Sequence, residues 1–263
     1  MYYDLTIQII NYNTRDYLIK CIKGLITDIS FCSVSYQIIV LDNNSEDDLS
    51  DLKEIFIDSD LEVYRSEINL GFGGGHNFLM KKAKASLILI LNPDIEFVDK
   101  FTVSTLLTFL NNHPYISILG PRLIYQDGKT IEFDHGELTG LKSWYRNSLG
   151  DSYWIDRKNI QEVAWVSGAF FFIRKEVFEN VKGFDENFFL YKEEEDLCLR
   201  VREFGYKVYY YPLVKVLHHT EVVSKKSDYI EESKRYYIKK NLEKRFRYHL
   251  LSFLRKIYFF IKI

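Results

Sequence analysis

Short runs of apolar and β-branched residues alternate with helix-like segments through the first 91 residues of the chain. Residues 5–10 (LTIQII), 36–41 (YQIIVL) and 86–91 (SLILIL) have the composition of strands. Around them the pattern predicts helices near 18–29, 48–57 and 75–85 and a further strand near 61–65. A chain that alternates in this way is expected to form a parallel sheet with helices on both faces.

The second half of the chain is less regular. Strands are predicted at 116–125, 164–173 and 207–211, and helices near 174–181 and 194–204. Residues 127–160 are rich in Gly, Asp, Trp and Tyr without clear periodicity, so we expect a long excursion over the edge of the sheet.

The composition excludes several classes of protein. The 35 basic residues are balanced by 37 acidic ones, which argues against a nucleic-acid-binding protein. Three cysteines without C-x-x-C spacing indicate neither a disulfide framework nor a zinc cluster and are typical of a reducing compartment. The first residues lack the basic start of a signal peptide, and no segment approaches the roughly 20 apolar residues that span a bilayer. We therefore expect a cytoplasmic protein, soluble or peripheral at the inner face of the cell membrane.

Polar residues follow three of the predicted strands at the point where each ends. They are residues 11–13 (NYN), 42–47 (DNNSED) and 92–94 (NPD). In open α/β sheets, ligands bind beyond the carboxyl ends of the strands, so these residues are the first candidates for a binding site.

Asp94 follows a buried strand and a proline, which fixes a hard carboxylate at the edge of the sheet. Such a group can hold a divalent cation that takes its other ligands from phosphate and water. Alternatively, residues 92–94 form an Asx-Pro turn that caps the next helix.

Six segments of the chain occur in the order found in family two glycosyltransferases: IINYN, IVLDNNSED, NLGFGGGHN, LILNPD, WVSGAFFFIRKEVFENVKGFDENFFLYKEEEDLCLR and VLHH. From about residue 5 to 240 the chain resembles an inverting enzyme of GT-A fold, most similar to the rhamnosyltransferase-like branch. The resemblance implies an α/β fold with a Rossmann-like mixed sheet. It places a transferase domain at 1–225, nucleotide-binding to about 125 and acceptor-binding from about 126, before a helical extension at 226–263.

The same resemblance implies that the first strand ends receive the nucleotide of the donor, with Asp42 accepting from the base. The expected donor-binding residues are Asn11, Tyr12, Asn13, Asp42, Asn43, Asn69, Gly71, Asn77 and Asn92. Asp42 could instead simply open an Asx turn. The segment 69–77 (NLGFGGGHN) fits neither G-x-G-x-x-G nor a Walker loop, and could be a purely structural turn.

Of the family's Asp-x-Asp metal motif this chain keeps only the last acid, Asp94. The resemblance makes Asp94 the expected ligand of Mn²⁺ or Mg²⁺, anchored mainly by the donor diphosphate. His218 and His219 are candidates for a second ligand, and an imidazole suits Mn²⁺ better than Mg²⁺. A histidine pair at a strand end could equally be structural or face solvent.

Four adjacent acids, residues 193–196, stand where the family places its catalytic base. Inverting transfer needs one carboxylate to take the acceptor hydroxyl proton. The motif aligns Glu194 with that base and leaves Glu193 as the second candidate, although many relatives carry Asp there. Glu195 is expected to face water. Alternatively, the four acids are only a favourable helix start.

The acceptor and the donor sugar are expected beside the segment just upstream. Small residues there let a sugar ring approach the backbone, and an aromatic ring can cover its apolar face. The expected acceptor-binding residues are Trp165, Gly168, Ala169 and Asp196, although Asp196 could instead fix the helix. Phe170–Phe172 are expected in the core. Residues 183–189 (GFDENFF) are expected to form the loop that positions the catalytic base.

Residues 234–263 contain ten Lys or Arg against the single acid Glu243, and their apolar residues Phe246, Leu250, Phe253, Leu254, Ile257 and Ile261 share one helical face. A basic amphipathic helix of this kind can lie in an anionic membrane interface. The alternative is a helix that packs on the domain or on a second copy in a homodimer.

These inferences predict a metal-dependent glycosyltransferase that moves a sugar from a nucleoside diphosphate donor to a glycan or lipid-linked oligosaccharide acceptor in surface polysaccharide synthesis. The overall pattern favours rhamnose from dTDP-rhamnose, with a UDP-hexose or UDP-N-acetylhexosamine as the alternative. A nucleotidyltransferase is disfavoured because residues 9–18 lack its phosphate loop. A catalytically dead glycan-binding or scaffolding relative is the non-enzymatic alternative.

Overall fold

A mixed β-sheet forms the centre of the protein. A computed structural model describes residues 3–30, 32–220 and 227–261. The described strands are β1 (Leu5–Asn11), β2 (Tyr36–Asp42), β3 (Leu61–Arg65), β4 (Leu87–Leu91), β5 (Ile95–Phe97), β6 (Ile116–Ile124), β7 (His135–Gly136), β8 (Gln161–Glu162), β9 (Trp165–Val166), β10 (Phe170–Arg174) and β11 (Lys207–His218). Nine of them form one sheet in the order β3-β2-β1-β4-β10-β6-β11-β5, with β8 beside β11, while β7 and β9 form a small second sheet.

Helices cover both faces of the sheet. They are α1 (Arg15–Ile29), α2 (Leu52–Ile55), α3 (Gly71–Met80), α4 (Thr102–Asn112), α5 (Leu141–Ser148), α6 (Lys175–Asn180), α7 (Glu193–Glu203), α8 (Ser227–Asn241) and α9 (Phe246–Ile261). Strand β4 shows how the layers arise, because all five of its residues are buried. Leu87, Leu89 and Leu91 pack in the cluster that contains α1 and α4, whereas Ile88 and Ile90 pack with α3, α6 and α7.

The sheet confirms most of the predicted elements and corrects some. β10 runs antiparallel to both neighbours, and β5 and β8 run antiparallel to β11. The sheet is therefore mixed, which confirms what the family resemblance implied and corrects the parallel sheet expected from the alternation of strands and helices. Sequence reasoning missed β5 and α4. The predicted strand 164–173 breaks into β9 and β10, and the third predicted helix begins at Gly71, four residues earlier than expected.

The third apolar cluster joins the C-terminal helices to the rest of the fold. Phe188 and Leu199 pack with Tyr237 of α8 and with Leu242, which follows it. α8 therefore packs on the preceding part of the fold. The predicted domain boundary at 225–226 lies outside the described residues. None of the described helices is both long and apolar enough to cross a bilayer.

Gly120 shows how closely the layers meet in the second half of the sheet. It lies within the fully buried strand β6. A Cβ atom added there would stand 2.7 Å from Cβ of Val166 in β9. Val166 is β-branched and buried, so it has little freedom to move away.

We expect Gly120→Ala to lower the free energy of unfolding by about 1–3 kcal/mol, because an overpacked core forces side chains and backbone to shift. Urea denaturation followed by circular dichroism measures the change. The matched control is Gly24→Ala in helix α1, where the added Cβ would stand 3.2 Å from the ring of the partly exposed Phe97 and helix propensity improves. Equal stability of the Gly120 variant and the wild type would contradict this packing.

Candidate active site

Three strand ends with polar residues meet at one edge of the sheet. β2, β1 and β4 are adjacent and parallel, and Asn11 pairs with Asp42 in register. The backbone N–H of Asn92 donates to the carbonyl of Ala169 at 2.8 Å, which joins the loop after β4 to the start of β10. The structure thus assembles the three segments as the sequence predicted.

Asp94 and His218 face each other at this edge. Ile95 of β5 pairs with His218 at the end of β11. This pairing brings the Asp94 carboxylate, only 5% exposed, to within 3.3 Å of Nε2 of His218. The backbone N–H of His219 donates to the Asp94 carbonyl at 3.0 Å and fixes the turn.

His219 points to different partners. Its Nε2 lies 3.0 Å from the Glu96 carboxylate, and its Nδ1 lies 3.2 Å from the Gln126 amide. Of the two histidines predicted as metal ligands, only His218 therefore faces Asp94.

The Asp94–His218 pair suits a cation that is shared with a ligand. Among the residues that the structure describes, no group of three or more His, Cys, Asp or Glu is arranged to hold a metal by itself. One carboxylate oxygen and one imidazole nitrogen form a mixed donor set that fits Mn²⁺, which would take its remaining ligands from phosphate and water.

Asp42 makes the Asx turn that was the alternative to its binding role. Its Oδ1 accepts from the backbone N–H of Ser45 at 3.1 Å and from the Ser45 hydroxyl at 2.6 Å. Its Oδ2 lies 3.1 Å from the guanidinium of Arg65, whose side chain is 60% exposed. The Asx turn is therefore present, and contact between Asp42 and a nucleotide base stays a prediction.

Asn43 and Asn69 shape the start of α3. The Asn43 amide donates to Oδ1 of Asn69 at 2.9 Å and accepts from the N–H of Leu70 at 2.9 Å. Gly71 has a φ of +70°, and a Cβ there would lie 2.4 Å from the carbonyl oxygen of Phe189. A glycine is required at this position because the loop before α7 packs directly against it.

Of residues 11–13, at and just after the end of β1, Asn11 and Asn13 form hydrogen bonds to the neighbouring loop. Asn11 has no exposed surface and donates to Ser45 and Asp47 at 3.1 and 3.0 Å. Asn13, at φ +56°, accepts from the N–H of Glu46. The expectation that the Asn11 side chain contacts the sugar-nucleotide directly is therefore wrong for this conformation. The partly exposed Tyr12 remains a candidate for that contact.

Asn77 also serves the protein itself. Its amide donates to the Phe184 carbonyl and the Glu186 carboxylate, both at 2.9 Å, and accepts from the Phe184 N–H at 2.9 Å. These bonds occupy the side chain, so the expectation that Asn77 contacts the sugar-nucleotide is wrong for this conformation. Asn77 anchors α3 to the loop that precedes the acidic helix.

The four adjacent acids form the first turn of α7, which starts at Glu193. Lys192 and Tyr191 just before it have φ values of +71° and +70°, so the chain enters the helix through a sharp bend. The helix dipole favours negative charge at this end. Among the described residues, Glu195 and Asp196 form salt bridges with cationic side chains, whereas Glu193 and Glu194 form none.

Glu194 and Glu193 are the acids suited to accept a proton. Burial, and then the charge of Glu195, raise the pKa of the partly exposed Glu194 to about 7. Glu193 is 3% exposed, and its Oε2 has no hydrogen-bond partner among the described residues. Burial and the neighbouring Glu194 raise the pKa of Glu193 well above its usual range. A general base works best with a pKa near the operating pH, which favours Glu194.

Glu195 and Asp196 have structural partners. Glu195 accepts from the Lys192 ammonium at 2.7 Å and the Ser152 hydroxyl at 2.9 Å, so the expectation that it faces water is wrong. Asp196 has no exposed surface and contacts Arg200, Lys240 and Asn241 at 2.8–2.9 Å. These contacts rule out an acceptor contact by Asp196 in this conformation and agree with its alternative role of fixing the helix.

Helix α8 holds the loop before α7, a contact that sequence reasoning missed. Lys240 lies 2.7 Å from the Asp185 carboxylate, and the Tyr236 hydroxyl donates to the same carboxylate at 3.0 Å. Although burial pushes the pKa of Asp185 upward, Lys240 and Asn187 hold it at about 2. The charge pattern of residues 234–263 predicts a lipid-facing basic helix, and that pattern does not reveal this inward role of Lys240.

The segment 165–169 connects the acidic helix to the Asp94 edge. α7 packs on β9 through Leu197, Cys198, Trp165 and Val166, while Ala169 binds the backbone of Asn92. A Cβ on Gly168 would stand 3.0 Å from the Phe72 ring, so this segment also lies against α3. Segment 165–169 therefore links the helix that begins with the four acids to the loop that carries Asp94.

The excursion is held by a buried polar network that sequence reasoning did not find. Asp134 accepts from His135 and the Tyr210 hydroxyl at 2.7 Å, and from the Trp154 indole at 2.9 Å. The nearby Glu137 binds Arg157 through two hydrogen bonds of 2.7 and 2.8 Å. These bonds fix residues 134–157 beside β9 and thereby position Trp165.

Relatives of the chain among known proteins include a hexosyltransferase and two rhamnosyltransferases. The chain is 28% identical to a low-salt glycan biosynthesis hexosyltransferase of Haloferax volcanii over 225 residues, which is 83% of this chain and 68% of that protein. It is 26% identical to rhamnosyltransferase WbbL of Escherichia coli over 225 residues, 80% of this chain and 81% of that protein. It is 29% identical to an N-acetylglucosaminyl-diphospho-decaprenol L-rhamnosyltransferase of Mycobacterium tuberculosis over 143 residues, half of this chain and 46% of the relative.

A solved structure shares the fold. GalNAc-T7 with UDP, GalNAc and Mn²⁺ superposes with a TM-score of 0.66 at 15% identity, over 90% of this chain and 48% of that one. The likeness confirms the predicted GT-A fold class. Residues 6–182 match the family described as Glycosyl transferase family 2. Since that match covers more than half of the chain, the protein belongs to glycosyl transferase family 2.

Proposed function

We propose that the protein is an inverting, metal-dependent rhamnosyltransferase that uses dTDP-rhamnose and extends a glycan or a lipid-linked acceptor in surface polysaccharide synthesis. Two of the three relatives described above are named rhamnosyltransferases, and one of them is named for a sugar carried on diphospho-decaprenol. The observations that carry the enzymatic proposal are the raised pKa of Glu194, about 7, at the start of α7 and the facing pair of Asp94 and His218 at the edge of the sheet.

The reaction follows from this arrangement. The acceptor hydroxyl oxygen forms a bond to the anomeric carbon of the donor sugar while the bond from that carbon to the diphosphate oxygen breaks, which inverts the configuration. Glu194 takes the hydroxyl proton, because a carboxyl group with a pKa about 7 is half ionised near neutrality. Asp94 and His218 would hold Mn²⁺ or Mg²⁺, which neutralises charge on the leaving diphosphate.

The remaining predicted residues divide between the two substrates. Tyr12, Asp42 and Asn92 are proposed to contact the nucleotide. Trp165, Gly168 and Ala169 are proposed to line the sugar side, since they lie between the acidic helix and the Asp94 edge. Asn43, Asn69 and Gly71 support the donor indirectly, by holding the start of α3 against the loop before α7.

A peripheral position at the inner face of the membrane is a second part of the proposal. α9 rests on the domain through Leu251, which is 9% exposed, and turns its apolar face to solvent. On that face Phe246, Leu250, Phe253, Leu254 and Ile257 are 40–81% exposed. The side chain of Ile261 lies outside the described ones. An amphipathic helix with its apolar face directed away from the protein suits a lipid interface.

The positive charge of residues 234–263 supports membrane contact less than the number of Lys and Arg residues indicated. Lys234 and Arg255 pair with Asp151 at 2.7 Å, Lys240 pairs with Asp185 and Asp196, and Arg245 pairs with Glu203. These four cations attach the helices to the domain. The apolar face is therefore the main support for membrane contact.

We expect Glu194→Gln to lower kcat by about 10²- to 10⁴-fold, because the amide cannot accept the proton, while donor binding is retained. Transfer and donor hydrolysis are measured with Mn²⁺. Glu193→Gln tests the second candidate base, and Glu179→Gln on α6, whose side chain is 61% exposed, is the matched control. Unchanged kcat in Glu194→Gln would remove this residue from the base role. Nucleotide binding without turnover of any donor by the wild type would favour the catalytically dead alternative.

Asp94→Asn and His218→Gln are each expected to weaken apparent Mn²⁺ affinity at least about tenfold, because each removes one of only two protein ligands. Thermal shifts with dTDP, UDP and their sugars, with and without Mn²⁺, report the loss and also show which donor stabilises the fold. His219→Gln is the matched control, since His219 is directed toward Glu96 instead. A full Mn²⁺ response in Asp94→Asn would exclude this metal site.

The double variant Phe246→Ser/Phe253→Ser is expected to bind anionic liposomes at least about tenfold more weakly than the wild type, because it removes two exposed rings from the lipid-facing side. Flotation with phosphatidylserine-containing vesicles measures the bound fraction. Phe204→Ser, at a 63% exposed position outside the tail, is the control. Equal flotation of the double variant and the wild type would count against membrane contact.

A further inference from the structure

A cavity of about 290 Å³ lies beside the acidic helix. Its wall includes Trp165, Glu195, Arg202, Tyr237, Trp144 and Arg247. Glu195 directly follows the proposed base Glu194, so the cavity and the base share the first turn of α7. Arg247 belongs to the first turn of α9, so the same cavity also adjoins the helix whose apolar face is exposed.

The wall of the cavity carries arginine side chains that have no carboxylate partner among the described residues. Its three carboxylates are already neutralised: Glu195 pairs with Lys192, Asp151 with Lys234 and Arg255, and Glu203 with Arg245. Arg202 donates from Nε to the Ala164 carbonyl at 2.9 Å and has no carboxylate partner among the described residues. Arg247, which is exposed, has none in that part of the chain either.

The surroundings of the cavity extend the apolar surface of α9. α5 packs against α9 and exposes Leu141 (85%), Trp144 (47%) and Tyr145 (37%). Trp144 belongs both to this surface and to the cavity wall. The cavity and its surroundings thus combine a carboxylate next in sequence to the proposed base, two guanidinium groups without a carboxylate partner among the described residues, and an apolar surface of two helices.

We propose that this cavity binds the phosphate or diphosphate group that joins an acceptor sugar to its lipid, with Arg202 and Arg247 as the anion-binding residues. The inference rests on the proposed function and adds the acceptor subsite to it. Guanidinium groups bind phosphate oxygens through paired, charge-assisted hydrogen bonds. An acceptor held in this way would present its sugar to Glu194 and its hydrocarbon chain to the α5–α9 surface.

The subsite can be tested without catalysis. The probes are farnesyl diphosphate, which has the anion and a short lipid but no sugar, and farnesol, which lacks the anion. Binding is measured by quenching of tryptophan fluorescence, with the donor site filled by nucleoside diphosphate and Mn²⁺. The wild type is expected to bind farnesyl diphosphate more tightly than farnesol. Arg202→Gln and Arg247→Gln should each weaken binding of the diphosphate roughly tenfold or more, because hydrogen bonds to charged groups are strong, and should leave farnesol binding unchanged.

Two further variants sharpen this test. Arg202→Lys should recover part of the affinity, because the charge returns without the planar fork. Arg235→Gln removes an exposed cation of α8 and should behave as the wild type. Equal binding of farnesyl diphosphate by the wild type and both glutamine variants would overturn the subsite. If the wild type transferred sugar from none of the donors tested, the proposed function would be refuted. The binding result would still stand.

Discussion

The buried carboxylate of Asp196 fixes the geometry on which the candidate site depends. It has no exposed surface and is neutralised by Arg200 within α7 and by Lys240 from α8. A buried charge left without its partner costs several kcal/mol, so the two helices are held in contact. Glu194 lies two residues earlier on the same rigid turn, and its position relative to the rest of the site follows from this pairing. Asp196, which was expected to contact the acceptor, thus supports the site by fixing α7.

The first half of the fold could be predicted from sequence because its signals are local. The strand β4 is an uninterrupted apolar run, and α1 shows apolar residues at helical spacing, so periodicity alone identifies both. The glycines of α3 were misleading. Their weak helix propensity favours a loop, yet Gly73 and Gly75 lie where a side chain would collide with Phe184 and Ile10, and tertiary packing decides. The reversal of β10 depends on pairings between distant segments, which no local pattern reports.

The site was predictable as a set of segments and less so as individual side chains. Asp94 and His218 face each other in the structure, as shared metal ligation requires, and that role stays a prediction. Asparagine is harder to interpret. Asn11 and Asn77 bind their own protein, and an amide that binds a loop looks the same in sequence as one that binds a ligand. The cluster around Asp134 escaped notice because its members are brought together only by the fold.

The double role of Lys240 has a consequence for how such proteins can be recombined. Its ammonium lies between Asp185 of the loop and Asp196 of the helix, although residue 240 stands far beyond the segment that matches the family. A hybrid that exchanges the C-terminal part upstream of this residue, and brings in no lysine at the same place, would lose the ammonium that joins the two carboxylates. Asp196 would keep Arg200, whereas Asp185 would lose its ion pair with α8, and the link between the loop and the helix would weaken. Exchange of C-terminal parts between relatives therefore preserves this link when the junction lies after Asn241 or when the incoming part supplies the lysine.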